Sequence, residues 1–372
     1  MIQRVTLDSA AALDAFVKQH GSFLQSSDWG RVKSDWGWFG LICRDARGEI
    51  RGTMSLLEHR LHGLGACLLY APRGPVVLDA AAAAELLCAV RTLGRERRAY
   101  LLRIDPELDA SDLEAVAQLR RWGFRLKTAT DFSLFQARYN YKLELTGLTP
   151  ETLLLQYHPS MRRNVRLAQQ NGLEICHGTV LDLDDFCRMM EQTARKNGFS
   201  ARPKQYFHDI LTQMPELATL YLARTEGRTI AAAIMIRFGT TASFFYGCSD
   251  SEYLELHPNE LLQYQMQCDA LQSGCTCFDL RGVEGEPEES NPKFGLHCYK
   301  MKFGAALVRY AGEFDMILNY QVNALVVIKN ALQRFSLCRA KAAHPAAPAA
   351  CHRSSQPRHA AAPAPNGIPS RH

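Results

Sequence analysis

The sequence predicts an α/β (α+β) protein in which one order of elements is used twice, each time as a mixed, mostly antiparallel sheet flanked by helices. Three observations carry this. Apolar residues make up 47% of the chain, enough for substantial cores. Alternating apolar runs of strand length are separated by turn residues, as in Glu226-Gly227-Arg228 and Gly239-Thr240. Longer segments with helical apolar spacing lie between them.

The elements follow in order. Residues 9–19 predict a helix, followed by Phe23-Leu24-Gln25-Ser26 and a Trp-rich helix carrying Lys33. Strands are predicted at 38–44 and 50–59 around an Arg-Gly turn, and another runs into Tyr70-Ala71-Pro72-Arg73-Gly74-Pro75. A helix at 80–98 leads to a strand at 100–104 that stops at Asp105-Pro106, because proline cannot donate to a ladder and restricts the residue before it. A helix at 112–122 and a strand pair end this half near Leu145. The second half opens with helices at 150–157 and 160–170 and a strand at 173–177. Helices follow at 184–196 and 203–213, then three strands in series at 218–225, 229–238 and 241–246. A helix at 259–272 stops before Gly274, a C-terminal cap, and a strand occupies 277–280. Helix, helix, antiparallel meander, helix, strand is the element order of a GNAT-like acyltransferase domain. Two copies predict two tandem GNAT-like domains.

Bulk properties exclude several classes. No run reaches the roughly 18 uninterrupted apolar residues of a membrane span. The first residues contain acids and no apolar core of a secretory signal, so a cytoplasmic protein is expected. The 12 cysteines are mostly single and set in apolar segments, which reads as buried thiols in a reducing compartment. No C-x-x-C pair or zinc spacing is present, and no structural metal is expected. The formal charge of +5 comes from the end of the chain. Residues 339–372 hold Arg339, Lys341, Arg353, Arg358 and Arg371 and no acid, which leaves 38 charges of each sign elsewhere. That balance excludes a general DNA-binding protein. The Ala/Pro/His-rich segment 339–372 is expected to be disordered. Neither a Gly-x-Ser-x-Gly elbow nor a P-loop or dinucleotide fingerprint is present.

An ordered series of short segments resembles the Fem family (FemABX) of non-ribosomal peptidyltransferases. The segments are Phe23-Leu24-Gln25-Ser26 with Trp29 and Lys33, Tyr70 to Pro75, and Arg103-Ile104-Asp105-Pro106. They continue with Arg163 to Ala168 and Asn171-Gly172, Gly198-Phe199 with Arg202 and Tyr206, and Phe245 to Ser249. Pro258-Asn259 with Leu261 to Tyr264, Asp279 to Val283, and Gly295-Leu296 with Tyr299-Lys300 and Phe303-Gly304 complete the series. The resemblance covers about residues 1–335 and is to the compact form without a coiled-coil arm. It implies a first domain formed by 1–147 plus a returning 306–338, and a second by 148–305.

The activity the resemblance implies is transfer of an amino acid from aminoacyl-tRNA to the stem-peptide amine of a peptidoglycan precursor, linked to UDP or to lipid. The ester is already activated, so no cofactor is expected, and a monomer is expected. Peripheral contact with the inner membrane face stays open. Lys33 is implied in diphosphate binding, to which a point charge is suited. Arg202 and Tyr206, four apart, read as one helical face offering a bidentate anion grip and a hydroxyl. Lys300 is assigned to the aminoacyl-tRNA end or the oxyanion, with Tyr299 as an aromatic surface for a terminal adenine. Asp105 reads as a carboxylate that orients the amine or takes its proton, or as a turn-forming residue. Tyr246 reads as a donor to a substrate carbonyl, or as a packed strand aromatic. Arg162, Arg163 and Arg166 form a basic face that reads as an RNA contact or a solvated helix. Three other functions remain: an acyl-CoA-dependent GNAT enzyme, against which the lack of a glycine-rich pyrophosphate loop speaks, a non-catalytic double-GNAT scaffold, and transfer of an amino acid onto a protein N-terminus, which would leave Lys33 and Arg202 without a purpose.

Overall fold

The computed structural model describes residues 1–61, 63–127 and 135–343. Its strands are, in chain order, β1 (Ile2–Val5), β2 (Gly37–Arg44), β3 (Ile50–Leu61), β4 (Ala66–Ala71), β5 (Val76–Val77), β6 (Ala99–Ile104), β7 (Arg125–Leu126) and β8 (Tyr139–Glu144). Then come β9 (Glu174–Gly178), β10 (Ala218–Thr225), β11 (Arg228–Phe238), β12 (Thr241–Ser249), β13 (Cys277–Val283), β14 (Ala306–Arg309) and β15 (Phe314–Ile317). The helices are α1 (Ala11–His20), α2 (Ser27–Val32), α3 (Ala80–Glu96), α4 (Leu113–Arg121), α5 (Pro150–Gln156) and α6 (Pro159–Gln170). They continue with α7 (Leu183–Asn197), α8 (Lys204–Gln213), α9 (Pro258–Gln272), α10 (Phe294–Met301) and α11 (Tyr320–Ala343).

Two mixed sheets form. The first runs β1-β2-β3-β4-β6-β15-β7, with β5 beside β3, and the second runs β14-β8-β13-β12-β11-β10-β9. Within residues 1–323, which form one compact unit, the layers run helix, sheet, helix, sheet, helix. The outer layers are α3 and α4 on the first sheet and α5, α6 and α9 on the second. The middle layer is shared. Leu13 and Val17 of α1, Trp29 of α2, Phe186 and Met189 of α7, and Phe207 and Ile210 of α8 form one core with side chains of both sheets. Strand β11 shows why the sequence folds this way. Its run Ile230-Ala231-Ala232-Ala233-Ile234-Met235-Ile236 has no polar alternation because both faces are covered. Ala232, Ile234 and Ile236 face the shared core, and Ala231, Ala233 and Met235 face the outer one.

The meander and most helices lie where the sequence predicts them, within a few residues. Strand membership differs in two places. The strand at 139–144, expected in the first domain, pairs β13 and β14 in the second sheet. The returning segment from 306 was also expected wholly in the first domain. Its strand β14 instead joins the second sheet, and only β15 enters the first, between β6 and β7. Pairing is long-range in both cases, and local periodicity fixes a strand without fixing its neighbours. The segment 339–372, expected to be disordered, begins inside α11, and its remainder, 344–372, lies outside the described residues.

The halves meet closely at Gly239 in the β11–β12 turn. Gly239 has φ +58, and a Cβ there would lie 2.3 Å from the backbone oxygen of Lys18 at the end of α1. Left-handed backbone and backbone-to-backbone approach both demand glycine. Gly239→Ala is therefore expected to destabilise the fold by about 1–3 kcal/mol, read as a lowered melting temperature. A variant melting with the wild type would contradict this packing of the turn on α1.

Candidate active site

Two irregularities in the second sheet build the site. Strands β12 and β13 are parallel neighbours only where Thr241–Ser243 meets Cys277–Asp279. Beyond that they part. On β12, Tyr246 opposes Ile234 and Phe244 opposes Met235, so Phe245 is an inserted residue. Such a bulge breaks the two-residue alternation of faces. Phe245 and Tyr246 consequently line the same cavity, while Phe244 and Gly247 line another. On β13 the register against β8 slips between Asp279 and Gly282, and Arg281 adopts φ +62.

The first cavity, of about 370 Å³, lies against the shared helical layer. Aromatic rings of Trp29, Trp36, Tyr70, Phe135, Tyr206, Phe245 and Tyr246 wall it, and Lys33, Arg202 and Arg281 bring positive charge. Lys33 is placed by the short helix α2. Ser26 caps α2 by accepting from the Trp29 N–H at 3.2 Å, and the helix ends at Lys33. Buried Gln25 anchors the approach to this helix, donating to the carbonyls of Pro72 (2.8 Å) and Ser55 (3.1 Å) and accepting from the Ser55 N–H (2.8 Å).

Arg202 does not share a helical face with Tyr206 as expected, because Pro203 caps α8 and leaves Arg202 outside it. The two still meet. The Arg202 guanidinium and the Lys33 ammonium each lie 5.6 Å from the centre of the Tyr206 ring. Burial lowers the Lys33 pKa; the Asp35 charge opposes the shift and Arg202 adds to it. Asp35, 3.8 Å from Lys33, is itself exposed. Two cations held together with one solvated acid nearby form a site suited to an anion. The hydroxyl of Tyr246 donates to that of Tyr206 at 3.3 Å.

Arg281 is the residue the sequence reading passed over. The bulge aims its guanidinium at the Phe245 ring, 5.6 Å from its centre. It is steadied by Gln136 at 2.9 Å and Asp279 at 3.7 Å. Nothing in the local sequence announces left-handed backbone at an arginine. The Arg-Gly pair after Asp279-Leu280 is the available signal.

The second cavity, of about 640 Å³, lies on the other side of the parted strands, between α9, α10 and the end of α7. Tyr299 and Lys300 line it together with Phe244, Gly247, Asn259, Gln263 and Gly282. Tyr299 packs edge-on against Phe303 at 5.1 Å. The Lys300 ammonium donates to the carbonyls of Leu280 (2.7 Å), Arg281 (2.9 Å) and Gly282 (3.0 Å). An ammonium has three N–H groups, so all its donors are engaged. Burial pushes its pKa down to about 7, with Asp279 opposing the shift and Arg281 adding to it.

The family comparison bears on this arrangement. Residues 9–229 and 225–327 match the model of the FemAB family. The chain belongs to the FemAB family. Its similar relatives include the lipid II:glycine glycyltransferase of Staphylococcus epidermidis (strain ATCC 12228 / FDA PCI 1200), 25% identical over 392 residues, covering 84% of this chain and 92% of that one. The protein of the same name from Staphylococcus haemolyticus (strain JCSC1435) is 24% identical over 390 residues with the same coverage. Among solved structures, FemX superposes with a TM-score of 0.79 at 23% identity, over 88% of this chain and 99% of that one. A tandem GNAT protein from the clavulanic acid biosynthesis pathway gives 0.52 at 11% identity, over 86% and 98%. These likenesses show the paired GNAT-like fold.

Measured against this geometry, the residues singled out in this FemAB-family sequence fall into four groups. Lys33, Arg202, Tyr206 and Tyr246 share the first cavity. Tyr299 and Lys300 line the second, where Lys300, expected at the aminoacyl-tRNA end or the oxyanion, is bonded to three backbone carbonyls. Asp105, expected to meet the incoming amine, lies beneath the first cavity instead. It is buried and accepts from the Tyr70 hydroxyl at 2.6 Å and the Arg73 N–H at 2.5 Å. Burial raises its pKa to about 6 against the pull of Arg73 and Tyr70. The basic face of Arg162, Arg163 and Arg166 also narrows. Arg162 donates to the carbonyls of Leu155 and Tyr157, both at 3.0 Å, closing the end of α5, while Arg163 and Arg166 stay exposed. Among the described residues no group of three or more His, Cys, Asp or Glu could hold a metal ion. The ten cysteines from Cys43 to Cys298 are free.

The Lys300 shift gives a signed expectation. With a folded pKa of about 7 and an unfolded one near 10.5, the unfolded chain holds the extra proton between those values. Stability contributed through this group therefore rises from pH 7 to pH 10.5 and is lost as pH falls. The difference in unfolding free energy between wild type and Lys300→Met should move in favour of the wild type across that window. A difference that stays flat in denaturant titrations would contradict the shift.

Proposed function

We propose that the protein is an aminoacyltransferase that moves an amino acid from aminoacyl-tRNA to the stem-peptide amine of a peptidoglycan precursor. The observation that carries this reading is the grouping of Lys33, Arg202 and Arg281 in one aromatic-walled cavity, which suits a diphosphate with an organic group on each side. The names of the relatives support the reaction class.

In this reading the diphosphate of the precursor lies against Lys33 and Arg202, with Arg281 at the side of the parted strands. The stem peptide then extends toward the gap between β12 and β13. The aminoacyl ester approaches from the second cavity, past Tyr299 and Gly247. Alignment across the gap supplies most of the rate, since the ester carries its own activation. The acceptor amine, with a free pKa of about 10.4, sheds a proton before attack. Tyr246, on the bulge that lines the first cavity, serves the reacting carbonyl or amine. Asp105 acts through Tyr70, as a positioning residue. Lys300 holds the backbone that shapes the gap. The new amide forms as the ester C–O bond breaks, and the tRNA hydroxyl leaves with a proton.

The direct test is purified protein with a mixed pool of charged tRNAs and a diphosphate-linked muropeptide, read by mass. A product heavier by one amino-acid residue is expected, and the mass names the residue. Transfer from acetyl-CoA with none from charged tRNA would replace this reading with an acyl-CoA-dependent one. In the same assay Lys33→Ala and Arg202→Ala are each expected to lower kcat/KM about 10–100-fold, mainly by raising the acceptor KM, as loss of a charge-assisted hydrogen bond would. An unchanged acceptor KM in both variants would remove the anion site from the account.

A further inference from the structure

The family match ends at residue 327, within helix α11 (Tyr320–Ala343). From Ala324 onward the helix belongs to a unit separate from residues 1–323. Five of its large apolar side chains are exposed. Leu325, Val327, Ile328 and Leu332 are 53%, 58%, 56% and 65% exposed, and Tyr320 is 68% exposed. At 100° per residue these five fall within an arc of about 160°, interrupted in the described turns by Gln321. Lys329 and Asn330 project outside that arc. Rows of large exposed apolar groups mark contact surfaces.

The charge says which surface. From residue 320 to the end the chain has no Asp or Glu. It holds Lys329, Arg334, Arg339 and Lys341 within the helix and Arg353, Arg358 and Arg371 after it. The preceding part is left with two more acids than bases. The net excess of positive charge is thus confined to the segment that also exposes the apolar row. No helix among the described residues is long and apolar enough to cross a membrane. A helix that exposes a row of aliphatic side chains, in a segment with cations and no acid, suits the plane of an anionic lipid surface. RNA is also anionic, but an aliphatic row offers it neither stacking nor hydrogen bonds. A second copy of the helix would bring like charges together.

We infer that α11 docks the protein on an anionic bilayer, with Leu325, Val327, Ile328 and Leu332 among the acyl chains and the basic residues at the headgroups. This surface is independent of the transfer site and stands or falls apart from it.

The test is co-sedimentation of the full chain with vesicles of phosphatidylglycerol and phosphatidylcholine, compared with phosphatidylcholine alone. Binding to the anionic vesicles is expected, weakened by added salt. The double variant Leu325→Glu/Ile328→Glu is expected to lose about tenfold or more in vesicle affinity. It should keep the wild-type circular dichroism and melting temperature, since both side chains are exposed. Lys329→Glu should weaken binding to the anionic vesicles only. The inference is overturned if the wild type stays in the supernatant, or if the double variant binds vesicles as well as the wild type. It is equally overturned if the double variant loses charged-tRNA binding or self-association while vesicle binding is unchanged.

Discussion

In the second sheet a buried ammonium holds three consecutive carbonyls at the point where one strand has left its neighbour. Lys300 meets the oxygens of Leu280, Arg281 and Gly282 just beyond the last parallel pairing of β12 with β13. A strand that parts from its neighbour exposes polar backbone, and leaving such groups unpaired inside a protein is costly. The ammonium satisfies them at once and fixes the slipped register that points Arg281 into the first cavity. The gap, the position of Arg281 and the separation of the two cavities all follow from this contact.

The shared helical layer provides the other constraint. Because α1, α2, α7 and α8 form one core with both sheets, Lys33 from the first half and Arg202 from the second are carried to the same tyrosine ring. Neither half alone would assemble the cavity. Burial works against its positive charge: it lowers the Lys33 pKa, the Arg202 charge adds to the shift, and Asp35 opposes it from an exposed position. An anion that entered would relieve the repulsion between the cations, which is the physical basis for proposing a diphosphate-bearing acceptor.

Much of this was legible in the sequence, and the rest had definite reasons not to be. The meander was readable because β11 is apolar on both faces and its turns carry Gly227 and Gly239. Lys33, Arg202, Tyr206 and Tyr246 stood in segments whose order carried the family resemblance, and they converge. What escaped was non-local or hidden in the backbone. The exchange of β8 and β14 into the second sheet depends on pairing partners far along the chain. The bulge at Phe245 and the left-handed Arg281 leave no trace in apolar periodicity, yet they decide which side chains share a cavity. The place of Asp105 beneath Tyr70 was equally hidden, since a strand-ending Asp-Pro says where the backbone turns and nothing about what covers the carboxylate.

The central claim is that the three-cation cavity receives the diphosphate of a muropeptide whose stem reaches the gap in the second sheet. A crystal structure of the protein with a diphosphate-linked muropeptide tests this most directly. The account predicts phosphate oxygens within hydrogen-bond distance of Lys33 and Arg202, and the acceptor amine lying between Tyr246 and the parted strands. Density for the diphosphate in the second cavity beside Tyr299, or away from both cavities, would contradict it.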